Sequence, residues 1–260
     1  MKRLIVAEWR VLMRRGAARG LLLVSALIPV LTTALIGWAA HSQIVWNGEP
    51  IADTLRFSGP HAAALSLRAR HAIFLPMFIL FVTGTSLAEE RSNHMLRERL
   101  VRAVSRDTLL LAKLMSLILL CIASLLLNLV LSLSIGTVWM GTDGPWSLVL
   151  LGHLLSVCTD LGLIALGLFL STLFRSGAMV VVSGLMVYFI DKGAGLALFV
   201  LGMVGIQINS AVPMLLPSAG WNLWSAMMGD PILWAGLNWL VWTLGLLLLT
   251  RVRLARMDIP

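Results

Sequence analysis

The sequence is short of charged and chemically reactive side chains, and these shortages narrow what it can do. Of its 260 residues only 12% are charged, while 59% are hydrophobic and the mean hydropathy is +0.93. The two cysteines, Cys121 and Cys158, lie inside apolar runs, which favours packing roles over a disulfide framework or a metal pair. The sequence has no Walker loop and no GxSxG, HExxH or CxxC motif. We therefore predict that it is not an enzyme and that any ATP is hydrolysed by a separate subunit.

Long apolar runs are what the sequence has instead. Runs of about 20 apolar residues predict membrane-spanning helices, and their continuous rather than alternating pattern disfavours barrel strands. We predict an all-α integral membrane protein whose single domain, residues 1–260, contains six spanning helices. The spans are expected at about residues 20–40, 72–87, 108–140, 146–174, 178–190 and 231–250.

Two charged residues, Asp191 and Lys192, interrupt the fifth apolar run, and two interpretations follow. In the first, the pair marks the outer surface, residues 191–206 form a re-entrant hairpin, and the tryptophan-rich segment up to residue 230 caps it. In the second, a broken helix carries the pair inside the protein. Because a charged pair in hydrocarbon is costly, we favour the outer hairpin.

The segments around the first span are polar. Residues 1–19 are basic and amphipathic, which predicts a helix lying in the headgroup region with its cations on anionic lipid. Residues 41–71 are expected to form an outer polar loop in which Pro60 occupies the first turn of a helix. The loop histidines have no fixed ligand spacing, so no metal site is predicted.

The distribution of cations indicates the orientation. In the six-span arrangement, 16 of the 20 Lys and Arg residues fall on the side of the two termini. The positive-inside rule therefore places both termini in the cytoplasm. It also attributes the net charge of +8 to one membrane face rather than to nucleic-acid binding.

The main charged stretch, residues 87–114, lies between the second and third spans. Leu96, Leu100 and Val104 recur every four residues and predict an apolar stripe on a short helix. Charged residues fill the remaining positions, so this helix is expected to lie at the cytoplasmic surface with a charged face available for docking. A solvated basic loop is the alternative.

This stretch resembles the first cytoplasmic loop of type-2 ABC exporter permeases. That loop carries acidic residues, a glycine, a leucine-rich turn, Pro-Val-Ser-Arg and a lysine seven residues after the arginine. The sequence departs from it at His94, where glycine is usual, and at Ala103, where proline is usual. The matching positions are Glu89, Glu90, Leu96, Leu100, Val104, Ser105, Arg106 and Lys113.

The resemblance implies an exporter subunit in a prokaryotic plasma (inner) membrane. It implies a homodimer or heterodimer of permeases, with ATP-binding subunits holding ATP and Mg on the cytoplasmic side. Residues 89–105 would be the coupling helix seated in each ATPase. The expected coupling residues are Glu89, Glu90, Arg91, Arg97, Leu100, Arg102, Val104, Ser105 and Arg106.

Asp160 is the strongest polar signal within a span. His153 and Ser156 precede it on the same helical face, and Asn128 is a potential partner on another span. These four residues are candidates for a substrate or ion path, although we favour polar packing between helices, which is common in membrane bundles. Two other functions remain open for the chain: a non-transporting scaffold or assembly subunit, and an ion-driven carrier using Asp160.

Overall fold

Helices make up almost all of the chain that the computed structural model describes. The described residues are 1–42, 45–46, 49–50, 58–72, 74–96, 105–203, 216–217 and 232–257. The helices in these ranges are α1 (Lys2–Arg14), α2 (Gly16–His41), α3 (Gly59–Ala72), α4 (Phe74–Ser92), α5 (Arg106–Met140), α6 (Trp146–Leu173), α7 (Gly177–Met203) and α8 (Ile232–Arg256). Two antiparallel strands of two residues each, β1 (Val45–Trp46) and β2 (Glu49–Pro50), follow α2.

Five of these helices, α2 and α5 to α8, are long and apolar enough to cross a membrane. Helices α3 and α4 meet at 52° and count as a sixth span when they are taken together. The prediction of a helical membrane protein with about six spans is confirmed in this coarse form. Helices α5 and α6 begin and end within two residues of the predicted bounds.

The N-terminal amphipathic helix is shorter than predicted. Helix α1 ends at Arg14, and Arg15 is extended, with φ −78° and ψ 137°, before α2 begins at Gly16. The buried positions of α1 are Glu8 and Leu12, so a carboxylate lies on the face that packs against the protein. The charge on that face is explained by its partner in α5, described below.

The prediction that residues 41–71 form an outer loop is wrong for their second half. Residues from Gly59 onward form α3, with Pro60 in its first turn as expected. Small side chains such as Ala62, Ala63 and Ser66 are buried and let α3 pack closely on its neighbours. Ser66, Arg70 and His71 are therefore buried inside the bundle, whereas His61 and Arg68 of the same helix are exposed.

The predicted interruption at Asp191 and Lys192 is also corrected. Helix α7 continues through both residues to Met203, so no hairpin begins at residue 191. The Lys192 ammonium lies 5.5 Å from the centre of the Tyr188 ring, one helical turn earlier, and this cation–π contact partly replaces water. Residues 204–215 and 218–231, which include most of the predicted cap, lie outside the described residues.

Helix α3 packs antiparallel on α5, and α4 meets α5 at Lys113. Near one end, the amide of Gly59 donates to the carbonyl of Gly141 at 3.0 Å. Near the other end, which we call the charged end, α1, the last turns of α4 and the first turns of α5 lie together. Contacts in between occur in register: Ser66 with Asn128, Arg70 with Ser124, and Ser86 with Lys113.

Candidate functional site

A buried ionic cluster lies at the charged end. The Lys113 ammonium is 2.8 Å from Glu90 Oε2 and 3.1 Å from Glu8 Oε2, and it donates to the Ser86 carbonyl at 2.8 Å. The contacts with Glu8 and Ser86 are hydrogen bonds, and the contact with Glu90 is an ion pair. The other Glu90 oxygen accepts from Arg15 at 2.7 Å. We call these four charged residues, Glu8, Arg15, Glu90 and Lys113, the terminal cluster.

The terminal cluster joins parts of the chain that are far apart in sequence. Glu8 comes from α1, Arg15 from the α1–α2 junction, Glu90 from the last turns of α4, and Lys113 from α5. Buried charges are tolerated when they are paired, and each charge of the cluster has an opposite charge within 3.1 Å. The cluster therefore fastens the N-terminal helix to the two helices that flank residues 93–105.

Two arginines beside the cluster donate to carbonyl groups at the ends of other helices. Arg91 donates to the Ser171 carbonyl at 2.7 Å, in the last turn of α6. Arg106 donates to the carbonyls of Leu254 and Ala255 in α8, at 2.6 and 2.7 Å. The last carbonyls of a helix have no partner within that helix, and a cation suits the negative end of its dipole. Arg91 and Arg106 thus tie α4 to α6 and α5 to α8.

A second buried cluster lies half-way along the bundle. The Arg70 guanidinium in α3 is 2.9 Å from Asp160 Oδ2 in α6, and it donates to Ser124 Oγ in α5 at 3.1 Å. His71 Nε2 is 3.0 Å from Ser156 Oγ. The Ser124 hydroxyl also hydrogen-bonds Ser25 of α2, at 2.6 Å. We call Ser25, Arg70, His71, Ser124, Ser156 and Asp160 the central cluster.

The central cluster is closed from the surface. The side chains of Arg70 and Asp160 are 0% and 1% exposed. Four helices, α2, α3, α5 and α6, converge there, and the Tyr188 hydroxyl of α7 donates to the His71 carbonyl at 3.1 Å. The arrangement supplies fixed and mutually compensated charge inside an otherwise apolar bundle.

Comparison with protein families places the chain in one of them. The model of the family described as "Protein of unknown function (DUF2705)" matches residues 51–259, which is most of the sequence. The chain belongs to the DUF2705 family. Comparison with curated proteins gives no match.

The region matched by the DUF2705 model contains the whole central cluster except Ser25. It also contains Glu90 and Lys113, whereas Glu8 and Arg15 of the terminal cluster precede it. The family match thus covers both halves of the Arg70–Asp160 pair.

The predicted coupling residues of this DUF2705 chain take up several different positions. The Glu90 side chain is 1% exposed and is paired with Arg15 and Lys113, whereas its predicted contact with a partner stays a prediction. Glu89 of α4 is half-buried. Its carboxylate lies beside Gly177, the first residue of α7, at 3.1 Å from the position that a Cβ of residue 177 would occupy. A carboxylate there is favoured by the positive end of the helix dipole.

The structure describes residues 89–96 and 105 of the predicted coupling helix (residues 89–105), with Met95 and Leu96 helical, and the helix as a whole stays a prediction. Glu89 to Ser92 belong to α4, and the chain turns at Asn93 and His94, where His94 has φ 58°. This left-handed conformation favours glycine and ends a right-handed helix. Ser105 is the N-cap of α5 and accepts from the Thr108 amide at 3.2 Å. Arg97, Leu100, Arg102 and Val104 lie outside the described residues.

The four predicted pathway residues are all buried, but their partners differ from those expected. Asp160 binds Arg70 rather than Asn128, whose amide donates to Ser66 Oγ at 3.0 Å. His153 Nδ1 is 2.8 Å from the carbonyl of Val149 in its own helix. In the part of the chain that is described, no group of three His, Cys, Asp or Glu side chains is close enough to hold a metal ion.

Sequence reasoning missed Arg70 and His71 because they were assigned to a polar loop. A usable signal was present in the small residues Ala62 and Ser66, which lie eight and four positions before Arg70 and so share its helical face. Such a pattern is typical of a helix packed closely inside a membrane bundle. An arginine on the buried face of such a helix needs a buried acid, and Asp160 was available.

Proposed function

We propose that the protein is the membrane-spanning permease subunit of an ATP-driven exporter in a prokaryotic plasma membrane. In this proposal both termini are cytoplasmic and the charged end faces the cytoplasm. Permease subunits pair as a homodimer or heterodimer, and separate ATP-binding subunits, which hold ATP and Mg, dock at residues 93–105. The proposal starts from the resemblance of residues 87–114 to the first cytoplasmic loop of type-2 ABC exporter permeases.

The observation that carries the proposal is how residues 93–105 are attached to the bundle. The end of α4, just before this segment, is bound through Glu90 to Lys113 of α5, which also binds Glu8 of α1, and through Arg91 to α6. Helix α5 leaves it bound to α8 through Arg106. A displacement of the segment would therefore be passed to five helices at once. Such an attachment would allow a partner bound at residues 93–105 to move the spanning helices.

The mechanism follows from differential binding. An ATPase pair that holds residues 93–105 differently in its open and closed forms would shift the equilibrium between two arrangements of the spans. The terminal cluster keeps α1, α4 and α5 together during that shift. Substrate would move outward as the spans rock, while the ATP chemistry stays in the partner.

The test uses residues of the connecting segment rather than the buried Glu90. We expect Arg97→Glu with Arg102→Glu to abolish copurification with an ATP-binding subunit and to reduce ATP hydrolysis by the complex, because docked charge pairs are partly desolvated. The matched control is Arg10→Glu with Arg14→Glu, which reverses two exposed charges on α1. A cysteine at the exposed Ser92 should crosslink to the ATP-binding subunit.

The two alternative functions give different outcomes in the same experiments. A scaffold subunit would copurify with proteins other than an ATPase and would not stimulate ATP hydrolysis. An ion-driven carrier would transport in response to a proton or sodium gradient and would lose that activity in Asp160→Asn. If Ser92 reaches no ATP-binding protein and both arginine reversals are silent, the exporter proposal is abandoned.

A further inference from the structure

The bend between α3 and α4 is unusual because it lies inside the bundle. Helix α3 ends at Ala72, α4 begins at Phe74, and their axes differ by 52°. The last carbonyls of α3 lack partners within the helix, and an apolar surrounding makes such groups costly. The Tyr188 hydroxyl lies 3.1 Å from the carbonyl of His71 and 3.3 Å from that of Ala72. The break is therefore supplied with a donor from α7.

Arg70 lies in the last turn of α3, immediately before this break. Its guanidinium reaches Asp160 in α6 and Ser124 in α5, so one side chain fixes the end of α3 to two other helices. A cation in the last turn also suits the negative end of the α3 dipole. The position of α3 relative to α4 thus depends on contacts made by Arg70.

Stability alone does not account for an ion pair in this position. Removing two charges from water is costly, and well-packed apolar residues of similar size are commonly as stabilising or more so. What an Arg–Asp pair supplies instead is directional contact, since the charges are satisfied only when α3 lies against α6. The pair therefore specifies an arrangement of helices.

We propose that Arg70 and Asp160 form a conformational latch at the bend of the α3–α4 span. When paired, they hold the end of α3 against α5 and α6 at the observed angle to α4. When they are separated, α3 and α4 rearrange and the α3–α5 contact opens. The latch belongs to this chain alone, so it stands or falls independently of the exporter proposal.

Cys121 provides a probe that is already in the chain. It is buried in α5, three residues before Ser124, and therefore lies one turn from the central cluster. In a Cys158→Ala background Cys121 is the sole thiol. The rate at which N-ethylmaleimide alkylates it in the detergent-solubilised full chain reports how often this face of α5 opens.

We expect Arg70→Gln and Asp160→Asn each to raise the alkylation rate roughly tenfold or more, because each leaves a buried charge without its partner. The exchanged variant, Arg70→Asp with Asp160→Arg, should return most of the protection. Asp107→Asn is the matched control, since it removes an acid from an exposed ion pair with Arg251 and should leave the rate unchanged. Folded single variants that react no faster than the parent protein would overturn the latch.

A second variant covers the case in which the single variants do not fold. Arg70→Met with Asp160→Leu leaves no unpaired charge and should insert and fold. If the charges specify the bend, Cys121 in this folded variant still reacts faster than in the parent. If the pair is only one of several equivalent packing solutions, Cys121 remains protected, and that result also rejects the latch.

Discussion

Lys113 and Glu90 are joined by a 2.8 Å ion pair that connects α5 to the last turns of α4. Lys113 also binds Glu8, so a single ammonium compensates two buried carboxylates. The sequence places these residues at the two edges of the charged stretch and Glu8 far from both. Through Lys113, the three helices α1, α4 and α5 are held together at the charged end.

Lys113→Met is predicted to destabilise the protein strongly. The change removes the ammonium that pairs with both Glu8 and Glu90 in a buried site, and should cost about 3–5 kcal/mol of unfolding free energy. Thermal unfolding in detergent, followed by loss of monodisperse protein, measures the effect. The control is Arg251→Gln, which breaks an ion pair whose side chains are 61% and 58% exposed. That change should cost no more than about 1 kcal/mol, and equal losses in the two variants would refute the special position of Lys113.

Gly167→Ala is predicted to disrupt the contact between α4 and α6. A Cβ at Gly167 would overlap the Thr83 hydroxyl and lie 2.8 Å from Thr83 Cβ. Overpacking of this kind typically costs about 1–3 kcal/mol. Gly245→Ala is the control, because an added Cβ there meets nothing within 4 Å. Thr83→Ala should partly restore the stability of the Gly167→Ala variant, and an absence of any restoration would place the strain elsewhere.

His94→Gly is predicted to stabilise the turn that follows α4. His94 has φ 58°, which costs about 1–2 kcal/mol for a residue with a Cβ and little for glycine. We expect a small rise in unfolding temperature for His94→Gly and a fall for His94→Val, because a β-branched side chain suits this conformation least. A matched glycine at Ser92, which is helical, should lower the temperature.

Arg106→Met is predicted to loosen the end of α8. The Arg106 guanidinium donates to three carbonyls, those of Leu254, Ala255 and Met257. Without it those carbonyls lose their charged donor, and the last turn of α8 should fray. Limited trypsin digestion, with mass spectrometry of the peptides released after Arg251 and Arg253, would detect this as faster cleavage. Arg91→Met, which acts on α6 instead, should leave the rate at these two sites unchanged.

The sequence was sufficient for the spanning helices but not for the charged clusters. Helices α5 and α6 were predictable because each is a long apolar run ended by glycine, proline or a charged residue. Arg70 was assigned to an outer loop because its partner, Asp160, lies ninety positions away in the chain. Periodicity describes one helix at a time, so it does not identify which buried charge on another helix will compensate a given residue.

The same limit explains the error at Asp191 and Lys192. Read along the sequence, two adjacent charges in an apolar run resemble a boundary. In the folded chain Asp191 is buried and Lys192 lies over Tyr188, so the helix continues past them. The cost of a charge in an apolar environment depends on its neighbours in space, and these are fixed by tertiary packing.

The separation of Lys113 and Ser124 along α5 has a consequence for depth. Eleven residues of helix rise about 16 Å, which is close to half of the roughly 30 Å hydrocarbon layer of an ordinary bilayer. If Ser124 and Asp160 lie at the midplane, Glu8, Glu90 and Lys113 reach the level where acyl chains meet the glycerol esters. The central cluster, where charge is most costly, would then be shielded wholly by protein. The terminal cluster would be shielded by protein on one side and by polar lipid on the other. A thinner hydrocarbon layer would leave the terminal cluster in the aqueous headgroup region, and a thicker one would bury it in the acyl chains.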